Sequence, residues 1–284
     1  MLLAIGLFWG VNWPILKVSM EVIPVFTFRA IAVFGGSLCL FVVCRYLGYS
    51  LRIPLNHWLP LILVTVLIFG FQVLSGYGVL NTGSGRAAVM AYTMPVWAIP
   101  LGALLLSERI TWLKLLALLL GLGGMALLLF SDMGTLGSAP IGMILMLVTA
   151  VLWALATIVQ KKVQWVVPTI VLVAWQSLMG SIPLAVGASF IDYNAITFPG
   201  WIPILGLLYN IFVATAFCFY AYFEVVRIFP VGGSTIGVMI APVVGVFSGA
   251  LILSAPLGIL EFAALALVVA AIATPVMSRN SFLK

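Results

Sequence analysis

WGVNWPILK, residues 9–17, is the stretch that decides the fold, because a related stretch, WALATIVQK, stands at residues 153–161. Its first tryptophan and its lysine recur at a shift of 144 residues, and a proline a few residues later recurs at the same shift. Self-similarity at a fixed shift indicates an internal structural repeat. The sequence therefore predicts two related halves, residues 1–134 and residues 135–284.

A second pair of related stretches lies further along each half. GRAAVMAYTMPV, residues 85–96, resembles GGSTIGVMIAPV, residues 232–243, at a shift of 147. Small residues at four-residue spacing follow both stretches and favour close helix packing, either within the chain or between protomers. They are Ala98 and Gly102 in the first half, and Gly245 and Gly249 in the second.

The composition makes lipid the solvent for most of the surface. Hydrophobic residues form 65% of the chain and charged residues only 6%, whereas a soluble domain carries about 25% charged residues. The apolar runs are near the roughly 20 residues that a helix needs to cross the hydrocarbon core. The sequence predicts an all-α polytopic membrane protein. Its ten predicted spans lie near residues 2–19, 25–46, 59–80, 86–106, 112–130, 141–160, 168–190, 201–226, 232–253 and 258–278.

An odd number of spans in each half fixes how the halves are related. With five spans apiece, the second half begins on the opposite side of the membrane from the first. The prediction is two inverted five-helix repeats around a central cavity, a design typical of transporters with a binding site near the midplane.

Basic residues predict the orientation, because cytoplasmic loops carry an excess of Lys and Arg. With a cytoplasmic N-terminus, nine basic residues lie inside and three lie at outer span ends. We therefore expect both termini to be cytoplasmic, in a bacterial inner membrane. The inner set is Arg45, Arg52, Arg109, Lys114, Lys161, Lys162, Arg227, Arg279 and Lys284, and the outer set is Lys17, Arg29 and Arg86. Asp132 and Asp192 fall on the outer side.

Polar and aromatic residues share one face in the first span of each half. Trp9, Asn12 and Trp13 lie at helical spacing, as do Trp153 and Thr157. We interpret both faces as lining a substrate cavity. The alternative is hydrogen bonding between helices, with tryptophan anchored at the membrane interface. Further candidate substrate-binding residues are Gln72, Tyr77, Tyr92, Trp175, Gln176, Tyr209, Asn210 and Tyr220, with Tyr209 and Tyr220 three α-helical turns apart.

Prolines and one glutamate mark further positions. Pro95 in the fourth span and Pro242 in the ninth free backbone carbonyls and are candidate hinges, with a static kink as the alternative. Glu108, at the cytoplasmic end of the fourth span, is expected to favour a helix N-terminus or to pair with Arg109.

The sequence argues against an enzyme and against a nucleic-acid partner. It contains a single histidine, no paired acids at membrane depth, no nucleotide loop and no metal-ligand spacing, so we expect neither a cofactor nor a metal. The basic residues stand singly or in pairs between apolar runs, as topology signals do. The three cysteines lie inside apolar runs, which argues against a disulfide framework.

The repeated stretches resemble those of a known group. The tryptophan-bearing first span of each half, the MPV and APV segments at residues 94–96 and 241–243, and SER at residues 107–109 before a glycine-rich span are similar to EamA-type ten-helix carriers. These belong to the drug/metabolite transporter superfamily, and the nearest likeness is to bacterial aromatic amino acid exporters. The resemblance implies export of small metabolites, often amino acids. The family usually has glutamate at both fourth-span ends, but the second element here has Ala255.

The leading hypothesis is export of amino acids or similar small metabolites by alternating access, with the bilayer and a small-molecule substrate as partners. No carboxylate lies near the middle of a predicted span, which disfavours drug/proton exchange and favours facilitated transport. The alternatives are a phosphorylated-metabolite or drug carrier and a non-transporting membrane scaffold. The sequence leaves the oligomeric state open.

Overall fold

The fold was derived from a computed structural model in which every regular element of the described part of the chain is helical. The described residues are 1–82, 84–131, 140–192, 199–253 and 258–277. Several predictions from sequence fall outside them: the boundary between residues 134 and 135, Asp132, the Ser254-Ala255-Pro256 element, Arg279 and Lys284.

Thirteen α-helices and one π-helical segment make up these ranges. In the first half they are α1 Leu2–Met20, α2 Val25–Tyr46, α3 Leu55–Thr82, α4 Ser84–Ala91, α5 Met94–Leu106 and α6 Trp112–Ser131. In the second half they are α7 Pro140–Lys162, α8 Thr169–Ile191, α9 Trp201–Tyr209, the π segment Asn210–Phe217, α10 Cys218–Ile228, α11 Val231–Gly237, α12 Ile240–Leu253 and α13 Ile259–Met277.

These helices confirm the predicted polytopic membrane fold. Eight stretches of the described chain are long and apolar enough to cross a bilayer, with mean hydropathies of 1.4 to 2.4. Two shorter apolar helices, Trp112–Leu127 and Phe262–Ala271, lie within the fifth and tenth predicted spans. Large apolar side chains such as Leu104, Phe190 and Leu251 are exposed on the outside of the bundle, where lipid solvates them.

The fourth and ninth spans are both broken near their prolines. The fourth span divides between α4 and α5 just before Pro95, and the ninth divides between α11 and α12 just before Pro242. A proline has no N–H to donate and its ring crowds the carbonyl four residues earlier, so the helix cannot continue unchanged. The breaks occupy corresponding places in the two halves. Their action as hinges remains a prediction.

Helix α1 packs tightly along α12, and the two helices run parallel. Gly6 lies against Ile240 and Gly10 lies against Val244, one turn further along both helices. Gly245 faces the Gly10 carbonyl oxygen. The small residues of the ninth span therefore pack within the chain.

An equivalent contact joins α5 and α7. Ala98 and Ala154 share one buried cluster, and Gly102 lies near Ile158, so these helices also run parallel. At the shift of 144 residues Ala154 corresponds to Gly10, and at the shift of 147 residues Gly245 corresponds to Ala98.

Two further helix pairs, α2 with α8 and α6 with α13, join matching spans of the two halves. This pairing supports the inverted repeat that we propose.

Candidate binding cavity

A central cavity lies between the two halves. It has a volume of about 50 Å³. Residues from both halves line it: Trp9, Asn12, Trp13, Leu16, Arg29, Phe71, Gln72, Ser75, Ala91, Tyr92, Met94, Trp153, Asn210, Ala214, Thr215 and Phe219. Seven of the predicted site residues are brought together here: Trp9, Asn12, Trp13, Gln72, Tyr92, Trp153 and Asn210.

The repeat-related tryptophans meet at this cavity. The rings of Trp9 and Trp153 pack edge to face with centroids 5.3 Å apart. Phe71 packs on Trp153 at 4.6 Å, and Phe219 packs on Trp9 at 5.7 Å. Each tryptophan thus contacts a phenylalanine on the third span of the other half. Together the four rings form an aromatic wall. Such a wall suits an apolar or aromatic side chain of a ligand.

The π segment shapes the cavity on the second half. The Trp9 indole N–H donates to the Ala214 carbonyl oxygen at 3.1 Å, which ties α1 to this segment. The Asn210 amide donates to the Gly206 carbonyl oxygen at 3.0 Å. A π-helical turn is wider than an α-helical turn and is frequent at functional sites. Its position between α9 and α10 was not foreseen from the sequence.

A buried arginine lines the cavity, although the sequence placed it among the charges at span ends. Arg29 is only 5% exposed, and its Nη2 donates to the Ser75 hydroxyl at 3.0 Å. Its Nε–H has no hydrogen-bond partner. Arg29 lies in the second turn of α2, near the helix start. Its hydrogen bond to Ser75 on α3 holds the guanidinium at the cavity.

Two amide side chains present unpartnered oxygens. Asn12 is 8% exposed and Gln72 is 3% exposed, and neither Asn12 Oδ1 nor Gln72 Oε1 accepts a hydrogen bond. Buried polar groups in proteins are nearly always paired, so a cluster of unpaired ones indicates a ligand site. The cavity therefore offers both donors and acceptors.

Two predicted site residues of the second half, Thr157 and Gln176, lie outside the cavity and have protein partners. The Thr157 hydroxyl donates to the Trp153 carbonyl oxygen at 2.8 Å and lies 3.2 Å from the Tyr222 hydroxyl. Gln176 Nε2 donates to Gln160 Oε1 at 2.9 Å. These contacts join helices, which is the alternative interpretation of the polar faces.

Trp175 also lies outside the cavity. Its indole N–H donates to the Leu51 carbonyl oxygen at 2.9 Å, and its ring packs against Phe41 and Trp58. This contact anchors α8 to the loop between α2 and α3.

The remaining three candidates are tyrosines that do not line the cavity. Tyr77 packs its ring against Phe26, and the Tyr209 hydroxyl donates to the Phe8 carbonyl oxygen at 2.8 Å. Tyr209 and Tyr220 were expected on one face of a continuous α-helix, but the π segment lies between them and changes the helical phase.

The two repeat-related lysines bridge helices at opposite ends of the bundle. Lys17 Nζ donates to the Leu80 carbonyl oxygen at 3.0 Å, near the end of α3. Lys161 Nζ donates to the carbonyl oxygens of Arg227 and Phe229 at 3.0 and 3.1 Å, at the end of α10. Each lysine thus satisfies C-terminal carbonyls of the third span in its own half.

Glu108 links the two halves at the end of the fourth span. Helix α5 ends at Leu106, and the next residue, Ser107, has a left-handed φ of 55°, which turns the chain so that Glu108 faces the other half. Glu108 Oε1 accepts the backbone N–H of Val231, the first residue of α11, at 2.7 Å. Its Oε2 lies 3.5 Å from Lys114 Nζ. The carboxylate thus lies at a helix N-terminus, but at that of α11 in the other half and not at that of the following span, and its ion pair is with Lys114 and not with Arg109.

Replacing Glu108 with glutamine is expected to lower the free energy of unfolding by about 1–2 kcal/mol, because a charged acceptor at a helix start and an ion pair are both lost. Thermal unfolding of the purified protein in detergent measures this. The matched control is Glu21→Gln, whose carboxylate pairs with Lys17 but is 54% exposed. Equal melting temperatures for the two variants would contradict the link between the halves.

Comparison with known proteins shows a family match over most of the chain. The EamA-like transporter family model matches it twice, over residues 1–130 and 140–276. The uncharacterized transporter YoaV of Bacillus subtilis is 28% identical over 252 residues, covering 87% of this chain and 86% of that protein. A protein of Escherichia coli named "Probable amino-acid metabolite efflux pump" is 27% identical over 271 residues, covering 89% and 86%.

A crystal structure of another protein shares the fold. Its TM-score with this chain is 0.80 at 21% sequence identity, and the match covers 97% of this chain and 96% of that one. At this level of identity the likeness extends to the fold alone.

Proposed function

Because the chain belongs to the EamA-like transporter family, we propose that it exports amino acids or similar small zwitterions by alternating access. The chain is an integral membrane transporter, not an enzyme, and its substrate is a small molecule. The observation that carries the amino acid proposal is the chemistry of the central cavity. An aromatic wall stands there beside polar groups of both kinds.

The aromatic wall and the amide oxygens suit different parts of one ligand. Trp9, Trp153 and the phenylalanines packed on them offer apolar surface to an aliphatic or aromatic side chain. The free oxygens of Asn12 and Gln72 can accept hydrogen bonds from an ammonium group, which carries three donors. The name of the Escherichia coli relative, "Probable amino-acid metabolite efflux pump", agrees with this substrate class.

The symmetric bridges at the two ends of the bundle support alternating access. Lys17 bonds to the third span of its own half at one end, and Lys161 does the same at the other end. We propose that one bridge opens at a time, while the other end stays closed. Related halves of opposite orientation give two states of similar energy, one open to each side.

The transport is proposed to be facilitated. None of the described residues that line the cavity is an aspartate or a glutamate, and a proton-coupled carrier commonly uses such a carboxylate as a relay. The excess of basic residues on one side leads us to propose cytoplasmic termini in the bacterial inner membrane.

The charges of the residues that line the cavity disfavour a phosphorylated substrate. Its recognition needs several cations in the cavity, whereas the described lining residues include one cation, Arg29. The amines of Lys17 and Lys161 are already bound to backbone carbonyls at the ends of the bundle.

Efflux from proteoliposomes tests the proposed function. Liposomes with the purified protein are loaded separately with labelled threonine, methionine, phenylalanine or a phosphosugar, and the loss of label is measured without an imposed proton gradient. We expect faster loss of one or more amino acids than from protein-free liposomes, and no faster loss of the phosphosugar. Equal loss of every amino acid with and without protein would rule out amino acid export. Loss only under a proton gradient would rule out facilitated transport.

A further inference from the structure

Arg29 is a buried charge whose one hydrogen-bond partner among the described residues is neutral. It is 5% exposed, and it is the one charged residue among the described residues that line the central cavity. Among the described residues, no carboxylate lies within ion-pairing distance of its guanidinium. Charged groups at membrane depth are expensive and are normally paired.

The contact with Ser75 positions the guanidinium without neutralising it. The Ser75 hydroxyl accepts from Arg29 Nη2 at 3.0 Å and donates to the Gln72 carbonyl oxygen at 3.2 Å. Both hydrogen-bonding directions of the hydroxyl are thus used within the protein. The Arg29 Nε–H has no partner in the part of the chain that the structure describes. An anionic group of a ligand in the cavity would supply the missing charge and the missing acceptor.

We propose that Arg29 is the anchor for the carboxylate of the transported amino acid, which rests on the proposed function and names the group that the site recognises. A guanidinium presents a planar fork of donors that matches a carboxylate. The unpaired oxygens of Asn12 and Gln72 line the same cavity and receive the ammonium. These two amide oxygens also repel a phosphate, because the phosphate oxygens that do not contact Arg29 are acceptors as well.

The arrangement makes both charged groups of the substrate necessary. A molecule without the carboxylate leaves Arg29 unpaired, and a molecule without the ammonium leaves the two amide oxygens unpaired. Since buried groups left without partners lose binding energy, the cavity selects zwitterions over simple amines and simple acids of the same shape. The carboxylate therefore contributes more than the ammonium, because it alone pairs with a buried protein charge.

A ligand series on the purified wild-type protein tests this without any substitution. Phenylalanine is compared with phenylethylamine, which lacks the carboxylate, and with 3-phenylpropionate, which lacks the ammonium. Affinity is read from the ligand-dependent rise in melting temperature. We expect phenylalanine to bind most tightly, phenylpropionate next and phenylethylamine most weakly. Phenylethylamine binding as tightly as phenylalanine would overturn the proposal, as would inorganic phosphate competing with phenylalanine.

Substitutions of Arg29 provide the second test. Arg29→Gln is expected to weaken phenylalanine binding by about ten- to hundredfold, which is the range of a charge-assisted hydrogen bond. Arg29→Lys keeps the charge without the fork and is expected to have intermediate affinity. The matched control is Arg52→Gln, which alters an exposed arginine in the loop between α2 and α3 and is expected to bind as wild type.

The outcomes separate this anchor from the proposed function. Undiminished phenylalanine binding and efflux by Arg29→Gln would overturn the anchor and leave amino acid export standing. Carboxylate binding that depends on Arg29, in a protein that moves no amino acid in liposomes, would overturn the proposed function and leave the anchor standing.

Discussion

Replacing Trp153 with alanine is expected to reduce amino acid efflux by at least about tenfold and to destabilise the bundle by about 3–5 kcal/mol. Trp153 is 3% exposed, and its ring contacts Trp9, Phe71 and Phe219 at centroid distances of 5.3, 4.6 and 5.3 Å. Its removal takes away half of the tryptophan pair that joins the two halves. The ligand then loses its apolar surface, and the halves lose a contact at their centre.

Two further variants separate the loss of binding from the loss of folding. Trp153→Phe keeps an aromatic ring and is expected to fold while transporting more slowly. Trp175→Ala makes the same change outside the cavity, where the tryptophan packs against Phe41 and Trp58. Efflux rates are normalised to the folded protein recovered from the liposomes. Wild-type efflux by Trp153→Ala, or an equal loss in Trp175→Ala, would contradict the placement of the site.

Replacing Gly10 with valine is expected to prevent α1 from packing along α12 and to abolish recovery of monodisperse protein. A Cβ atom at Gly10 would lie 2.5 Å from Val244 Cβ and 2.7 Å from the Ala241 carbonyl oxygen. The second contact is with backbone, so no side-chain rotation relieves it. Even Gly10→Ala is expected to cost about 1–3 kcal/mol through overpacking.

The control for this prediction is a glycine with room beside it. A Cβ atom at Gly123 would lie no closer than 3.7 Å to its nearest neighbour, Leu267 Cδ1. Gly123→Ala is expected to unfold at or above the wild-type temperature, since alanine favours a helix over glycine by roughly 1 kcal/mol. Size-exclusion chromatography and thermal unfolding in detergent measure both variants. A Gly10→Ala protein as stable as Gly123→Ala would contradict the close packing of α1 and α12.

The spans could be predicted from the sequence because bilayer thickness and backbone hydrogen bonding leave few alternatives to a helix of about 20 apolar residues. All ten predicted ranges agree with the helices to within about one turn. The breaks near Pro95 and Pro242 were foreseen because proline acts locally on the backbone. The π segment was not foreseen, because residues 210–217 carry no proline or other local signal for a widened turn.

The candidate site could be predicted only in part, because helical spacing shows which residues share a face but not what meets that face. Trp9, Asn12 and Trp153 line the cavity as expected. Thr157 and Gln176 are equally polar, yet each has a partner on another helix. Spacing along one helix cannot distinguish a paired polar group from one that awaits a ligand.

Arg29 was not predicted as a site residue because its position in the sequence indicated a different role. Its place near the start of α2 is typical of a topology signal at the membrane surface. Its actual environment depends on Ser75, which is 46 residues away in the sequence. Burial of this kind comes from tertiary packing and leaves no local pattern.

Counterflow in proteoliposomes tests the central claim most directly, since it detects a carrier whose site faces one side at a time. Liposomes containing the wild-type protein are preloaded with unlabelled phenylalanine and diluted into a trace of labelled phenylalanine. We expect a transient accumulation of label above its external concentration, which is absent in Arg29→Gln and Trp153→Ala. Folded wild-type protein that gives no accumulation with phenylalanine, methionine or threonine would contradict it.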